Sequence, residues 1–276
     1  MTRASHRIVD LMFGLLMCLL AGGAAAQQVE VQWLGHSTFK LTSIAGKVIV
    51  VDPFLKKNSR APAKYKNLAA LGKVDLILVT HGHHDHIADL PELASMNEAP
   101  VVANFELVNN LVAVGLLDAK KGIGMNKGGT VAPLGPGIKV HMVNAEHSSS
   151  TDILSLKPDY AGYRYVDGGA AVGYVIEFEN GFTIYVTGDT DVFGDMALIG
   201  RFFKPDLALV CIGGYYTMDP EHAAMAMREL VHPKMVIPTH YGTMPVINHT
   251  PAEFKAALGD APIRMIEMKP GESLKF

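Results

Sequence analysis

The chain has 276 residues, 49% of them hydrophobic and 18% charged, with a formal net charge of −3. That composition supplies a substantial core and excludes a disordered chain. A mildly acidic balance also argues against nucleic acid as a partner, because such binding leans on basic surface.

Residues 1–26 read apart from the rest. "MTRASHR" is basic, "IVDLMFGLLMCLLAGG" is apolar, and "AAAQQ" offers a small-residue cleavage site after Ala26. This is the layout of a secretory signal peptide, so the expectation is an exported, periplasmic protein. The alternative is a membrane anchor, for which the run is short. Cys18 could mark a lipoprotein, but Met17 stands where a small residue is expected. Cleavage would remove Arg3, Arg7 and Asp10, two cations and one anion, taking the charge from −3 to −4. Cys211 would then be the single cysteine, leaving no intramolecular disulfide.

Downstream, short β-type runs come first: "VEVQWLG", "STFKLTS", "KVIVVDP" and "VDLILVT". Helical patterns are predicted near 87–95 and 104–114, then a strand at 138–144. "AVGYVIEFE" and "FTIYVTG" read as a hairpin across "NG", and "DLALVCIG" follows. A helix from Asp219 to Val231, the strand "KMVIPTH", a helix over 251–258 and the strands "IRMIEM" and "SLKF" complete the chain. Two β-rich halves, each finished by helices, predict two sheets face to face with helices outside. No linker separates them, so residues 27–276 read as one domain. Residues 148–171 lack a clear period and read as a long, functional surface loop.

"THGHHDHIAD", residues 80–89, holds four of the twelve histidines. It follows the strand "VDLILVT" directly, where a rigid scaffold presents side chains at a sheet edge. Three further β runs lead to ligand-type residues: "KVHMVNAEH" to His147, "FTIYVTGD" to Asp189 and "KMVIPTH" to His240. Each alone reads equally well as a turn or cap residue; together they point to a metal centre. Imidazole with carboxylate suits zinc, manganese or iron.

With "WLGHSTF" (33–39), "VDPF" (51–54), "TGDTDVFGDM" (187–196) and "PTHYGTMP" (238–245), these motifs resemble the metallo-β-lactamase superfamily. The similarity is greatest to the metal-dependent hydrolase branch that includes ascorbate-6-phosphate lactonases and N-acylphosphatidylethanolamine phospholipases D. The resemblance implies an αββα sandwich of two mixed sheets. It also implies one metal on His81, His83 and His147, a second on Asp85, His86 and His240, and Asp189 bridging them. His83 stands where flavodiiron relatives resemble H-x-E-x-D, which favours hydrolysis over redox chemistry. Asp189 stands where true metallo-β-lactamases use a cysteine or lack a ligand.

Two divalent ions about 3.5–4 Å apart share one hydroxide and lower the pKa of its parent water towards about 7. The expected reaction is hydrolysis of a small ester, lactone or phosphodiester, with Asp85 orienting or deprotonating the water. Weak β-lactam hydrolysis, a phospholipase D-type reaction at a membrane, and a non-catalytic periplasmic metal- or ligand-binding protein are the alternatives. Around the ligands, Asp52 is either a support for a ligand histidine or a turn cap. His36 and His222 are substrate contacts or structural histidines. Tyr241 is an oxyanion donor or a packing residue. His84 reads as non-ligating, and His141, His232 and His249 as structural. Substrate identity and oligomeric state are not legible.

Overall fold

The computed structural model describes residues 28–276; the expected leader lies outside the described residues. Two seven-stranded sheets dominate. The first is built from β1 (Glu30–Trp33), β2 (Phe39–Thr42), β3 (Val48–Val51), β4 (Leu76–Leu78), β5 (Val101–Asn104) and β6 (Gly122–Met125). The second takes β7 (Thr130–Val131), β8 (Lys139–Asn144), β11 (Val172–Glu177), β12 (Thr183–Val186), β13 (Leu207–Cys211), β14 (Met235–Thr239) and β15 (Arg264–Met265). β9 (Ser150–Asp152) and β10 (Tyr165–Asp167) form a separate two-stranded ribbon. The last strand, β16 (Ser273–Lys275), returns to the first sheet and pairs antiparallel with β1. The halves are therefore not separable: the carboxy-terminal strand closes the edge of the amino-terminal sheet.

Both sheets are mixed. β1, β2 and β3 run antiparallel, whereas β3–β6 are parallel. β8, β11 and β12 run antiparallel, whereas β12–β15 are parallel. The hairpin across "NG" is present, with Gly181 at φ 82° in its turn.

Strand alternation sends one set of side chains between the sheets. Val31, Trp33, Phe39, Leu41, Ile49, Val51, Leu76 and Leu78 meet Val140, Met142, Tyr174, Ile176, Val186, Leu209 and Ile237 there. The opposite faces need helices. α1 (His84–Ile87), α2 (Leu90–Asn97) and α3 (Phe105–Ala113) lie on the first sheet. After the short α4 (Ile153–Leu156), α5 (Met196–Phe203), α6 (Pro220–Met225) and α7 (Pro251–Leu258) cover the second. The result is the four-layer αββα sandwich. No helix among the described residues is long and apolar enough to cross a membrane.

Several elements differ from the sequence reading. The helix expected over 87–95 is two helices, since the chain bends at Ala88–Asp89 before Pro91 starts α2. α6 passes into a π-helical stretch over Ala226–Val231. α5, β5, β6 and β7 were not anticipated. Residues 148–171 are a ribbon and a helical turn instead of an unstructured loop, fastened by Asn104 Nδ2 to the carbonyls of Gly168 and Ala170.

Candidate metal centre

The site lies where β3, β4, β8, β12 and β14 run out, and the loops beyond them converge. His81 follows β4 by three residues, His147 follows β8, Asp189 follows β12, and His240 comes directly after β14. Gly188 makes the approach of the Asp189 loop possible. Its φ is +63°, and a Cβ there would lie 2.8 Å from the Val172 carbonyl and 2.9 Å from Thr80 Cβ. His36, Asp52 and His240 also take left-handed φ values of 56°, 46° and 54°. Three non-glycine residues in that region at one site mark a backbone held in place by its surroundings.

The donors fall into three overlapping groups, each with ligand atoms within 4.8 Å of one another. They are His81, His83 and His147; His81, His86 and Asp189; and His36, Asp85, His86 and His240. All seven expected donors are thus brought together, joined by His36. Asp189 is central: its Oδ2 lies 2.9 Å from His240 Nε2, 3.4 Å from His86 Nε2 and 3.8 Å from His147 Nε2.

Asp52 sits behind the donors, fully buried. Its Oδ1 accepts the Thr80 N–H at 2.8 Å; its Oδ2 accepts Thr80 Oγ1 at 2.7 Å and His86 Nδ1 at 2.8 Å. His86 therefore carries a proton on Nδ1, and Nε2 is the ring atom that faces Asp189. Thr80 has given its hydroxyl proton to Asp52, so its oxygen accepts from His81 Nδ1 at 3.1 Å. His81 likewise presents Nε2, which lies 2.9 Å from His83 Nδ1. One carboxylate orients an imidazole in each half of the centre.

His36 acts on the opposite side. Its Nε2 donates to Asp85 Oδ2 at 2.9 Å, and its Nδ1 accepts from Thr243 Oγ1 at 3.0 Å. Thr80 and Thr243 escaped the sequence reading, although each stands close to a ligand, one before His81 and one three residues past His240. Tyr241 packs its ring 5.5 Å from Trp33, and burial together with Glu267 pushes its hydroxyl up to about 12. His222 lies 3.6 Å from Asp191 and joins none of the donor groups. His84 joins none either; its Nδ1 is 2.8 Å from Ser155 Oγ, at the end of the ribbon segment.

Electrostatically, the centre calls for cations. Burial disfavours charge on Asp189 and Asp85, yet neighbouring histidines hold both carboxyls well below their usual range: His240 and His86 at Asp189, His240 and His36 at Asp85. Burial also opposes a proton on His240, but Asp189 and Asp85 raise it to about 9. His86 is raised in the same way by Asp189 and Asp52. His81, His83 and His147 are lowered by burial and by other histidines. Meanwhile His86 Nε2, both ring nitrogens of His240 and Asp189 Oδ1 are buried without a hydrogen-bond partner. Each such atom costs about 1–3 kcal/mol. A divalent ion would satisfy His86 Nε2, Asp189 Oδ1 and one nitrogen of His240, and the imidazole–carboxylate set suits zinc, manganese or iron.

A family model described as a beta-lactamase superfamily domain matches residues 47–241. A UPF0173 metal-dependent hydrolase from Polaromonas sp. is 49% identical over 262 residues, covering 95% of this chain and 94% of its own. Its counterpart in Cupriavidus taiwanensis is 49% identical over 258 residues, with 92% and 89% covered. Among solved structures, the metallo hydrolase Igni18 of the archaeon Ignicoccus hospitalis superposes with a TM-score of 0.77 at 32% identity, over 90% of this chain and 98% of that one. The metallo-β-lactamase fold protein YhfI of Bacillus subtilis shares the fold, with a TM-score of 0.66 at 12% identity over 91% and 100% of the two chains. The chain belongs to the metallo-β-lactamase superfamily, as one of its metal-dependent hydrolases.

Proposed function

We propose that the protein is an exported dinuclear hydrolase that cleaves a small ester, lactone or phosphodiester. The observation that carries this is the adjoining pair of donor sets, with Asp189 Oδ2 facing imidazoles of both. His81, His83 and His147 would hold one ion, Asp85, His86 and His240 the other, and Asp189 both; zinc fits this set. Divalent ions there make water acidic enough to attack near neutral pH and polarise the scissile carbonyl or phosphoryl group.

The chain's own residues prepare that chemistry. Asp52 and Thr80 engage Nδ1 of His86 and of His81, so both rings turn Nε2 to the centre, where a bound ion would take it. His36 locks one oxygen of Asp85, which stays ionised and able to orient a water. The leader composition of residues 1–26 supports export.

Elemental analysis of the purified protein, followed by a panel of esters, lactones and phosphodiesters with the metal found, tests the reading. Two metals per chain and turnover lost in Asp189→Asn are expected. A metal-loaded protein that turns over no member of the panel overturns it.

A further inference from the structure

One cavity of about 330 Å³ adjoins the donor cluster directly, with Asp85 in its wall. The loop after β3 contributes Phe54, Lys57 and Ser59, α1 contributes His84 beside Asp85, and the loop after β14 contributes Thr243 and Met244. The two loops come from opposite sheets and are tied together. Arg60 Nε donates to the Gly242 carbonyl at 2.8 Å, and Ser59 Oγ donates to the Thr243 carbonyl at 3.3 Å. Thr243 in turn holds His36, the partner of Asp85. The cavity is therefore braced by the same contacts that position the reactive centre.

Its lining divides by polarity. Phe54 is buried and Met244 half-buried, giving an apolar wall beside Asp85. Lys57 is the one lysine or arginine in the lining. Its neighbours in sequence are engaged: Lys56 with Glu92, and Arg60 with Gly242. Among the described residues, Lys57 faces no carboxylate in an ion pair, and the only acid in this wall, Asp85, is taken by His36. A substrate atom reacting at Asp85 thus has apolar cover next to it and one uncompensated cation at the rim.

We propose that this cavity seats the acyl part of the substrate and that Lys57 binds a carboxylate carried on it. The preferred substrates are then esters or lactones with a carboxylate a few bonds from the scissile carbonyl. The other nitrogen base of the lining, His84, has its Nδ1 engaged by Ser155 Oγ at 2.8 Å, and a single free ammonium matches a monoanion better than a phosphate dianion. The proposal rests on the hydrolytic reading above, deepening it to a substrate class.

Two measurements on the metal-loaded full chain test it separately from that reading. In the first, the 4-nitrophenyl monoester of glutaric acid is compared with 4-nitrophenyl pentanoate. The wild type should favour the glutarate ester in kcat/KM by roughly tenfold, the value of one charge-assisted contact. Lys57→Met should abolish the preference through KM, Lys57→Arg should keep it, and Lys57→Glu should invert it. In the second, glutarate and pentanoate are titrated calorimetrically without turnover. Both offer one carboxylate to the centre, and only glutarate offers another to Lys57, so its tighter binding should disappear in Lys57→Met. Glutarate preference without hydrolysis of either ester would sink the hydrolytic reading and uphold the carboxylate site. Equal handling of both partners by wild type and Lys57→Met, in turnover or in binding, overturns the Lys57 site.

Discussion

Asp52 and His86 form a fully buried pair, His86 Nδ1 donating to Asp52 Oδ2 at 2.8 Å. The same carboxylate holds the N–H and the hydroxyl of Thr80, and through Thr80 Oγ1 the ring of His81. Two imidazoles that face different parts of the centre therefore depend on one residue that belongs to none of the donor groups. Asp52→Ala should lower metal affinity by about 10–100-fold, the usual effect of removing such a support. Metal titration against a competing chelator checks this, and affinity within a factor of two of wild type would contradict it.

Removing the metal should destabilise as well as inactivate. Buried donor atoms of His86, His240 and Asp189 lack a well-directed hydrogen bond, and an ion bound among them would stabilise them further. Chelation is expected to lower Tm, and restoring the metal to raise it in proportion to the logarithm of free metal above Kd. Differential scanning calorimetry across a metal series measures the effect; a Tm independent of metal would count against these residues as ligands.

The metal-free protein should be most stable near pH 6.5. Burial, reinforced by His240, holds His36 at about 4, below its ordinary 6.5. The unfolded chain thus binds the extra proton first, and this contribution, complete above pH 6.5, is lost as pH falls through about 4. His240, raised to about 9, acts in the opposite sense: its contribution is complete below pH 6.5 and lost as pH rises through about 9. Each is worth about 3 kcal/mol at most. Urea unfolding of the chelated protein from pH 4 to 10 should trace this bell, and a flat profile would refute it.

Tyr174 ties the two sheets together beside the motif. Its hydroxyl, carried on β11, donates to the Val79 carbonyl at 2.7 Å and contacts that of Val102 at 3.2 Å, both in the opposite sheet. Tyr174→Phe should cost about 1–3 kcal/mol, because the Val79 carbonyl loses its donor while that of Val102 keeps the Val79 N–H. Chemical unfolding gives the value directly; an unchanged midpoint would show that the strap is dispensable.

Gly82 keeps the motif against the 148–171 segment. A Cβ there would lie 2.5 Å from Thr151 Oγ1 and 3.2 Å from Gly168 Cα, and its own N–H donates to Ser149 Oγ. Gly82→Ala should displace the ribbon from His81 and His83 and reduce turnover at least tenfold, on the scale expected of a misplaced site. The double variant Gly82→Ala with Thr151→Ala should recover part of the loss, since the nearer clash is gone. Failure of the second change to restore anything would place the damage elsewhere.

The seven donors were legible because each is a chemically distinctive residue that follows a recognisable β run, and because "HGHHDH" concentrates four of them. The fold class followed from the same runs. α5 escaped because "MALIGRFF" begins only at the last residue of a motif read for its aspartate, β5 because a short buried parallel strand carries no alternation, and β6 because "GIGM" is a glycine-rich edge strand. Chain order also suggested two halves, yet β16 belongs with β1. Hydrogen bonding across 243 residues of sequence is a matter of strand pairing, which local pattern does not encode.

The chain by itself therefore determined which residues are candidate donors and where strands end, since those depend on side-chain type and local periodicity. Only the tertiary structure decided what stands behind them. Asp52 is separated from His86 by 34 residues, and His36 from Thr243 by 207. Such contacts arise when strands of two sheets deliver their ends to one place, and the proton positions on the imidazoles follow from them. Lys57 shows the same division: a surface lysine in sequence, it becomes the uncompensated charge of a cavity only once two loops from opposite sheets are tied beside Asp85.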